Sequence, residues 1–443
     1  MDILNLSRLK INGILESEHD LQIQVEITSP PSVCPHCGCV ANLYKHSSRE
    51  QICMDLPIHG KRVGLFIKRQ RYRCRECNQT FWERIDHIID DKRNCTKRLL
   101  TYIKKQSLKR TFESISEEVG MDEKTIRNIF RDYINHLGET IRFETPKWLG
   151  IDEIHIIKPR CVITNIEEQT LLDLLPNRNK ETVISYLSRL PNKDLIIYVT
   201  MDMWQPYRDA VKAVLPKATI IIDKFHVVRM ANQAMETIRK QLRESLSPKE
   251  RRGLMHDRFI LLKRNKELSE RDKINLDLWT KNHPSLRIAY ELKESFFDIW
   301  ECANKQLAIF KYRDWRAKIP IEFEPAFSSL TKAMNNWESE IFAYFDHRIT
   351  NAYTESLNSL IRLTNRLGRG YSFEALRAKI LFTNGLIKSR KPKYQRRLDG
   401  YELRDENFPI FKMPPIYVRD EEENKLLGID LPTLIEKLEK GKL

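Results

Sequence analysis

The sequence predicts a multidomain α+β protein. Three observations lead there: two Cys-x-x-Cys pairs in the first hundred residues, a helical stretch with a glycine break over residues 97–137, and alternating strands and helices between Trp148 and Asp223. The chain has 443 residues and 76 Lys and Arg against 61 Asp and Glu, a net charge of +15, with 41% apolar residues. It is long enough to build several cores and too apolar to be mainly disordered, and its basic excess points to a polyanionic partner. No stretch approaches the ~20 apolar residues that span a bilayer, and the first residues lack a signal-like apolar run, so a cytoplasmic protein with no membrane partner is expected. There the nine cysteines stay reduced, and a paired subset serves better as metal ligands than as disulfides.

Residues 21–27 alternate apolar and polar with a period of two, the pattern of a half-buried strand. Cys34-Pro-His-Cys37 and Cys74-Arg-Glu-Cys77 then form two knuckles, with an alternating strand around Val63–Ile67 between them. Four thiolates close a tetrahedral site for one structural zinc ion, holding a segment too small to fold on burial alone. Cys39, or the nearby His36 or His46, is an alternative to one of the four. Between the knuckles, Arg69, Arg71 and Arg73 belong to a basic run with no acid in residues 61–75, which reads as a phosphate-facing ribbon or a solvated strand face.

From residue 97 the apolar positions take helical spacing. Ile115 and Val119 are four apart, Gly120 stops the helix, and Ile126, Ile129, Phe130 and Ile134 mark the next one. This is a helix-turn-helix pattern, in which the second helix offers Lys124, Thr125, Arg127 and Asn128 to a major groove while Ile126 and Ile129 pack inward.

After Pro146 come strands at Trp148, Arg160 and Thr170, a helix from Lys180 to Leu190, a strand ending at Asp202, a helix from Tyr207 to Leu215, and a strand ending at Asp223. That order is the order of a ribonuclease-H-like fold, with the first strand central and the fourth beside it in parallel. Asp152 and Asp202 then face each other at strand ends. Two close carboxylates repel unless cations lie between them, and oxygen-rich sites suit magnesium or manganese. Phosphodiester chemistry uses two such ions. A third carboxylate is supplied best by the helix after Ile349, where Thr350 can cap, Leu357, Leu360 and Ile361 form an apolar stripe, and Asn351, Glu355, Asn358 and Arg362 share one face.

These motifs together resemble the bacterial insertion-sequence transposases of the ISL-three family. The residues that carry the likeness are the two knuckles, the helix-turn-helix, Gly150-Ile-Asp-Glu-Ile, Ile222-Asp-Lys-Phe-His-Val, Asn351-Ala-Tyr-Thr-Glu-Ser-Leu-Asn and Gly370-Tyr-Ser-Phe-Glu-Ala-Leu-Arg, spanning roughly residues 30–390. The resemblance implies an acidic DDE triad on a ribonuclease-H-like domain, an N-terminal zinc finger, and a helix-turn-helix that binds terminal inverted repeats. Two magnesium ions, with manganese able to substitute, would sit on Asp152, Asp202 and Glu355. Asp202 is preferred to Asp223 because the fifth strand lies roughly 5 Å further from the first. Asp223 and His226 resemble the Asp/Cys-x-x-His pair that related transposases place after their second acid, a pair able to orient groups near the metals or to cap a helix.

The expected domains are 1–90 for the strands and zinc ribbon, 91–145 for the helix-turn-helix, 146–230 with 345–390 for the catalytic part, 231–344 for an all-helical insertion, and 391–443 for a basic tail. The insertion is read with helices at Val228–Leu246 and Leu286–Phe310, and its Trp279, Trp300, Trp315 and Trp337 serve core packing or base stacking. Arg362, Arg366 and Arg369, then a run from Lys388 to Arg397, are placed to track phosphates. The expected activity is metal-dependent cleavage and strand transfer at inverted repeats by a nucleoid-associated dimer or larger assembly on double-stranded DNA. A DNA-binding regulator without catalysis, and a nuclease without strand transfer, are the alternatives.

Overall fold

A computed structural model describes residues 9–40, 42–90 and 92–384 and three short stretches, 387–388, 425–426 and 428–430. The basic run from Arg390 to Arg397 and the helix expected from Leu431 lie outside the described residues. The described chain divides into two compact units, one made of residues up to Arg142 with those from Thr364, the other Phe143–Leu363.

The first unit is built on a seven-stranded sheet. Its strands are β1 (Leu9–Glu16), β2 (Asp20–Ile27), β3 (Leu43–Ile58), β4 (Lys61–Cys74), β5 (Thr80–Trp82), β6 (Ile89–Asp90) and β7 (Cys95–Thr96), in the order β1-β2-β4-β3-β7-β6 with β5 also on β4. Period-two burial shows in β4, where Val63, Leu65 and Ile67 are fully buried and meet Ile23 and Val25 of β2. Helices α1 (Lys97–Ser107), α2 (Phe112–Val119) and α3 (Glu123–Thr140) follow. Thr96 and Thr111 cap α1 and α2 through their hydroxyls, and Asp122 caps α3. Gly120 ends α2 at φ +70°, and a Cβ there would stand 3.0 Å from the Arg62 side chain, so both conformation and space require glycine. Buried Asp55 of β3 accepts from the Thr96 hydroxyl at 2.6 Å and from the Arg98 Nε at 2.8 Å, tying α1 to the sheet.

A short strand, β8 (Ile141–Phe143), comes next in the chain. The second unit carries β9 (Trp148–Ile156), β10 (Lys158–Asn165), β11 (Thr170–Leu175), α4 (Lys180–Arg189), β12 (Tyr198–Met201), α5 (Gln205–Val214) and β13 (Thr219–Ile222). The sheet order is β11-β10-β9-β12-β13, antiparallel on the β10 side of β9 and parallel on the β12 side. β9 does not stop at its acid as expected. Its parallel pairing ends at Ile151 opposite Met201, while antiparallel pairing with β10 carries it on to Ile156, so Asp152 lies mid-strand.

Beyond β13 run α6 (Lys224–Ser245), α7 (Pro248–His256), α8 (Arg258–Leu262), α9 (Glu270–Asn282), α10 (Pro284–Ile299), α11 (Lys305–Ala317), α12 (Glu324–Asn336), α13 (Glu338–Phe342) and α14 (Tyr344–His347). The single helix expected over Leu286–Phe310 is two. Asn304 caps α11 by accepting from the Leu307 N–H at 2.9 Å, and the Arg348 guanidinium takes the carbonyls of Trp300, Cys302 and Ala303 at the break. Trp300, Trp315 and Trp337 are buried in the core of this unit, and Trp279 packs half-buried against it. Finally come α15 (Ala352–Leu367) and α16 (Phe373–Asn384).

Candidate active site and zinc centre

The two knuckles bring Cys34, Cys37, Cys74 and Cys77 together, with all four sulfurs within 4.8 Å of one another. Cys34 to Cys77 and Cys37 to Cys74 are each 3.7 Å. Tetrahedral Zn–S bonds of ~2.3 Å require sulfurs about 3.8 Å apart, so the spacing is that of a zinc tetrathiolate. Each knuckle turns through one left-handed residue four positions after its first cysteine, Gly38 at φ 73° and Asn78 at φ 57°. Backbone N–H groups of Cys77 and Glu76 aimed at the Cys74 sulfur pull its thiol down to about 6, which favours the thiolate a metal needs. Cys39 lies 3.7 Å from Cys74 but outside the four, and the His36 ring packs edge-on against Phe81.

On the second unit's sheet, the parallel register β9–β12–β13 aligns three acids. Met201 pairs with Ile151 on one side and Ile222 on the other, so the next residues, Asp152, Asp202 and Asp223, stand side by side. Asp152 and Asp223 are buried, and Asp202 is nearly so. Asp152 is held firmly: its Oδ1 accepts from the Glu153 N–H at 2.7 Å and its Oδ2 from the Asn358 Nδ2 at 2.8 Å. Burial raises the Asp152 pKa, and Asp202, desolvated and facing the Asp152 charge, is pushed up to about 8. His226, one turn into α6, brings its Nδ1 to 3.0 Å from Asp202 Oδ1 and 3.7 Å from Asp223 Oδ2. Burial opposes its charge, but the two carboxylates outweigh that and raise its pKa. Asp223 itself caps α6, accepting from the Phe225 N–H at 3.4 Å.

Helix α15 seats on this sheet through a polar face. Asn351 occupies the cap position in place of the expected Thr350, and its Oδ1 accepts from the Thr354 hydroxyl at 2.6 Å and the Thr200 hydroxyl at 3.3 Å. Thr354 and Thr164 hydroxyls bond at 2.7 Å. The close approach depends on Gly150, where a Cβ would come within 2.3 Å of the Thr164 hydroxyl and 2.8 Å of Asn351 Oδ1. Of the expected apolar stripe, Leu357 and Ile361 are buried but Leu360 is exposed, because Thr354 takes the sheet-facing place. Gly150, Thr164, Thr200 and Thr354 are site-building residues to which sequence reading gave no role, although Gly150 and Thr354 lie in the motifs that carry the family likeness.

The structure therefore brings Asp152, Asp202, Asp223, His226 and Asn358 together. Glu355 stands on the exposed flank of α15, one turn before Asn358, and its carboxylate bonds to neither aspartate; Arg362, one turn after, is exposed. Asn358 Oδ1 is buried with no hydrogen-bond partner, while Asp202 Oδ1 and His226 Nδ1, 3.0 Å apart, meet as an ion pair without hydrogen-bond alignment. A close, desolvated carboxylate pair is a donor set that suits a hard divalent cation.

Among the expected DNA contacts, Lys124 and Arg127 are exposed and Thr125 and Asn128 half-exposed on α3, with Ile126 and Ile129 buried beneath. Arg127 is paired with Glu123 at 2.7 Å. The basic ribbon is acid-free only along the sequence: Lys61 pairs with Glu16 and Arg62 with Asp20, each at 2.6 Å, across the sheet. Arg69 reaches Gln51 and the Glu83 carbonyl, Arg71 donates to Thr80 at 2.6 Å, and Arg73 is half-buried. Arg366 and Arg369 are exposed.

Three transposase family models match successive parts of the chain. A zinc-finger model of the transposases IS204/IS1001/IS1096/IS1165 matches residues 30–77, and a helix-turn-helix model of transposase family ISL3 matches residues 83–134. The chain is similar to the transposase for insertion sequence element IS1001 of Bordetella parapertussis, 23% identical over 368 residues that cover 79% of this chain and 88% of that protein. It is also similar to the transposase for insertion sequence element IS1557 of Mycobacterium tuberculosis, 26% identical over 55% of this chain and 61% of that protein. With a DDE transposase model of the ISL3 type matching residues 149–380, more than half its length, the chain belongs to the ISL3 transposase family.

Proposed function

We propose that this transposase binds the terminal inverted repeats of its element through residues 31–140, cleaves the phosphodiester at each end, and joins the freed 3′-hydroxyl to target DNA by direct transesterification. The catalytic part has a ribonuclease-H-like fold, a reading supported by the strand order 3-2-1-4-5 with the first three strands antiparallel. Residues 231–344 are its helical insertion and residues 345–390 return to the catalytic part.

The observation that carries the reading is the Asp152–Asp202 pair, neighbours at the end of the β9–β12 parallel pairing and both pushed toward the protonated form. Asp152, Asp202 and Glu355 would hold two magnesium ions. When bound, such a pair lowers the pKa of the attacking water or hydroxyl and stabilises the leaving oxygen. The chain's own groups do the positioning. Asn358 fixes the Asp152 carboxylate through its amide. His226, with Asp223 behind it, sets its imidazole against Asp202 as an ion pair and so offsets the negative charge of the pair. Glu355, exposed and long, closes the ligand set from α15. Each step exchanges one P–O bond for another, so neither ATP nor a covalent protein intermediate is needed. Both ends must be held together, which calls for a dimer or larger assembly.

The test is incubation of the purified chain with magnesium and labelled inverted-repeat DNA. Nicking lost in Asp202→Ala but retained in Asp223→Ala supports the ligand assignment. The opposite pattern overturns it.

A further inference from the structure

Helix α16 follows the carboxylate-bearing helix in sequence, yet its buried side packs on the helix-turn-helix. Ala378 belongs to the same core as Phe112, Ile115, Ile126 and Phe130, and Tyr371 and Phe382 pack against that core. At the centre is Lys379, 2% exposed. Its ammonium lies over the rings of Phe112 at 4.6 Å, Tyr371 at 4.8 Å and Phe130 at 5.2 Å, and donates to the carbonyls of Ser107 and, at 2.8 Å, Arg110. Ser107 ends α1, so a cation is set against a terminal carbonyl that the helix cannot satisfy itself. Burial accordingly drives the Lys379 pKa down to about 8.

This clamp gives α3 a neighbour. The outward face of α3 is one wall of a cavity of about 850 Å³, and the segment from Leu367 to Ala375 is the other. On the α3 wall Lys124, Asn128, Arg131 and Asn135 recur at i, i+4, i+7 and i+11, the polar stripe opposite Ile126 and Ile129. The facing wall supplies Arg369, exposed and in the left-handed region at φ 45°. Acids at the cavity are largely answered: Glu123 pairs with Arg127, while Glu113 and Glu374 lie in the first turns of α2 and α16, where helix dipoles offset their charge.

Resting on the reading of α3 as the DNA-facing helix, we propose that Arg369, presented by the segment that leads into α16, joins Arg131 in binding backbone phosphates of the same duplex that α3 reads. The DNA-reading module is thus composite, a helix-turn-helix completed by a fourth helix from beyond the catalytic carboxylates. Because the contacts are to phosphate, they add affinity for any duplex and fix register without reading bases.

The experiment measures binding of the full chain to a fluorescent duplex carrying the element's terminal repeat, and to a scrambled duplex, across a salt series. Arg369→Ala and Arg131→Ala, both surface changes, are each expected to flatten the slope of log K against log salt by about 0.9, equivalent to about an eightfold loss at 0.1 M salt, equally on both duplexes. An Arg369→Ala protein with unchanged affinity and slope, or one that binds more tightly, overturns the proposal. If the wild-type chain itself prefers neither duplex, it is the assignment of α3 that fails. Lys379→Met keeps the apolar packing but removes the clamp; with the chain still folded by circular dichroism, it should lose as much affinity as Arg369→Ala, and wild-type affinity would count against the composite module.

Discussion

Replacing Asp202 with asparagine should make the metal-free protein more stable while abolishing cleavage. Asp152 and Asp202 follow directly on a paired register position in adjacent parallel strands, which sets their backbones about 4.8 Å apart. Two charges at about 5 Å in an effective dielectric of about 20 repel by roughly 3 kcal/mol. The native Asp202 titrates near 8, for burial and the Asp152 charge both oppose its ionisation, whereas in the unfolded chain it titrates near the ordinary aspartate value of 3.8. Between those two pH values the native state holds the extra proton, so this contribution to stability is whole below about pH 4 and lost as pH rises through about 8. Asp202→Asn removes that loss. In chelator at pH 9 the variant should exceed wild type by up to about 3 kcal/mol, or roughly 6–12 °C in Tm for a unit of this size, and the gap should close as the pH is lowered toward 4. Millimolar magnesium should raise the Tm of the wild type and leave Asp202→Asn nearly unmoved. Thermal melts by circular dichroism decide the matter: a variant melting below wild type at pH 9, or a gap that does not shrink on acidification, refutes the close-pair argument.

Three further outcomes are expected. Cys74→Ser should cut zinc content from about one ion per chain to none by atomic absorption and abolish repeat binding, since a structural zinc contributes on the order of 10 kcal/mol to its fold. Glu355→Gln, a surface change, should leave repeat binding within twofold while lowering strand cleavage by at least about a thousandfold, measured on labelled ends; retained cleavage would remove Glu355 from the ligand set. Lys379 titrates near 8 in the native protein and near 10.5 when unfolded, so the unfolded chain binds more protons between those values. Denaturant titrations should then show wild-type stability rising by up to about 3 kcal/mol from pH 8 to 10.5, a rise that Lys379→Met lacks.

The zinc knuckles are legible in the sequence because their chemistry is local: two residues between cysteines and a turn residue after each pair suffice. The helix-turn-helix is legible for the same reason, with Gly120 marking the break between its helices. Asp152 and Asp202 stand out because each follows a short apolar run that reads as a buried strand. What stays hidden is what only the tertiary structure pairs. Nothing near Thr164 announces Thr354, nearly two hundred residues away, and the charge of Lys61 cannot be discounted until Glu16 is found beside it across the sheet. The extension of β9 past Asp152 depends on hydrogen bonds from β10, and the break before Lys305 depends on Arg348, a residue some forty positions downstream. Lys379 is the sharpest case: an unremarkable lysine in a helical pattern proves to be the buried pin of another segment's fold.

Gly150 carries a consequence of its own. The distance between the carboxylate-bearing strand and the helix that serves it is governed there by the missing bulk of one methyl group. Any side chain at that position would lift the start of α15 and slacken the grip of Asn358 on Asp152, although neither residue had changed. The alignment of acids in this enzyme is therefore secured by an empty place in the backbone as much as by the acids themselves, and alanine at position 150 is expected to leave the carboxylates intact yet out of step.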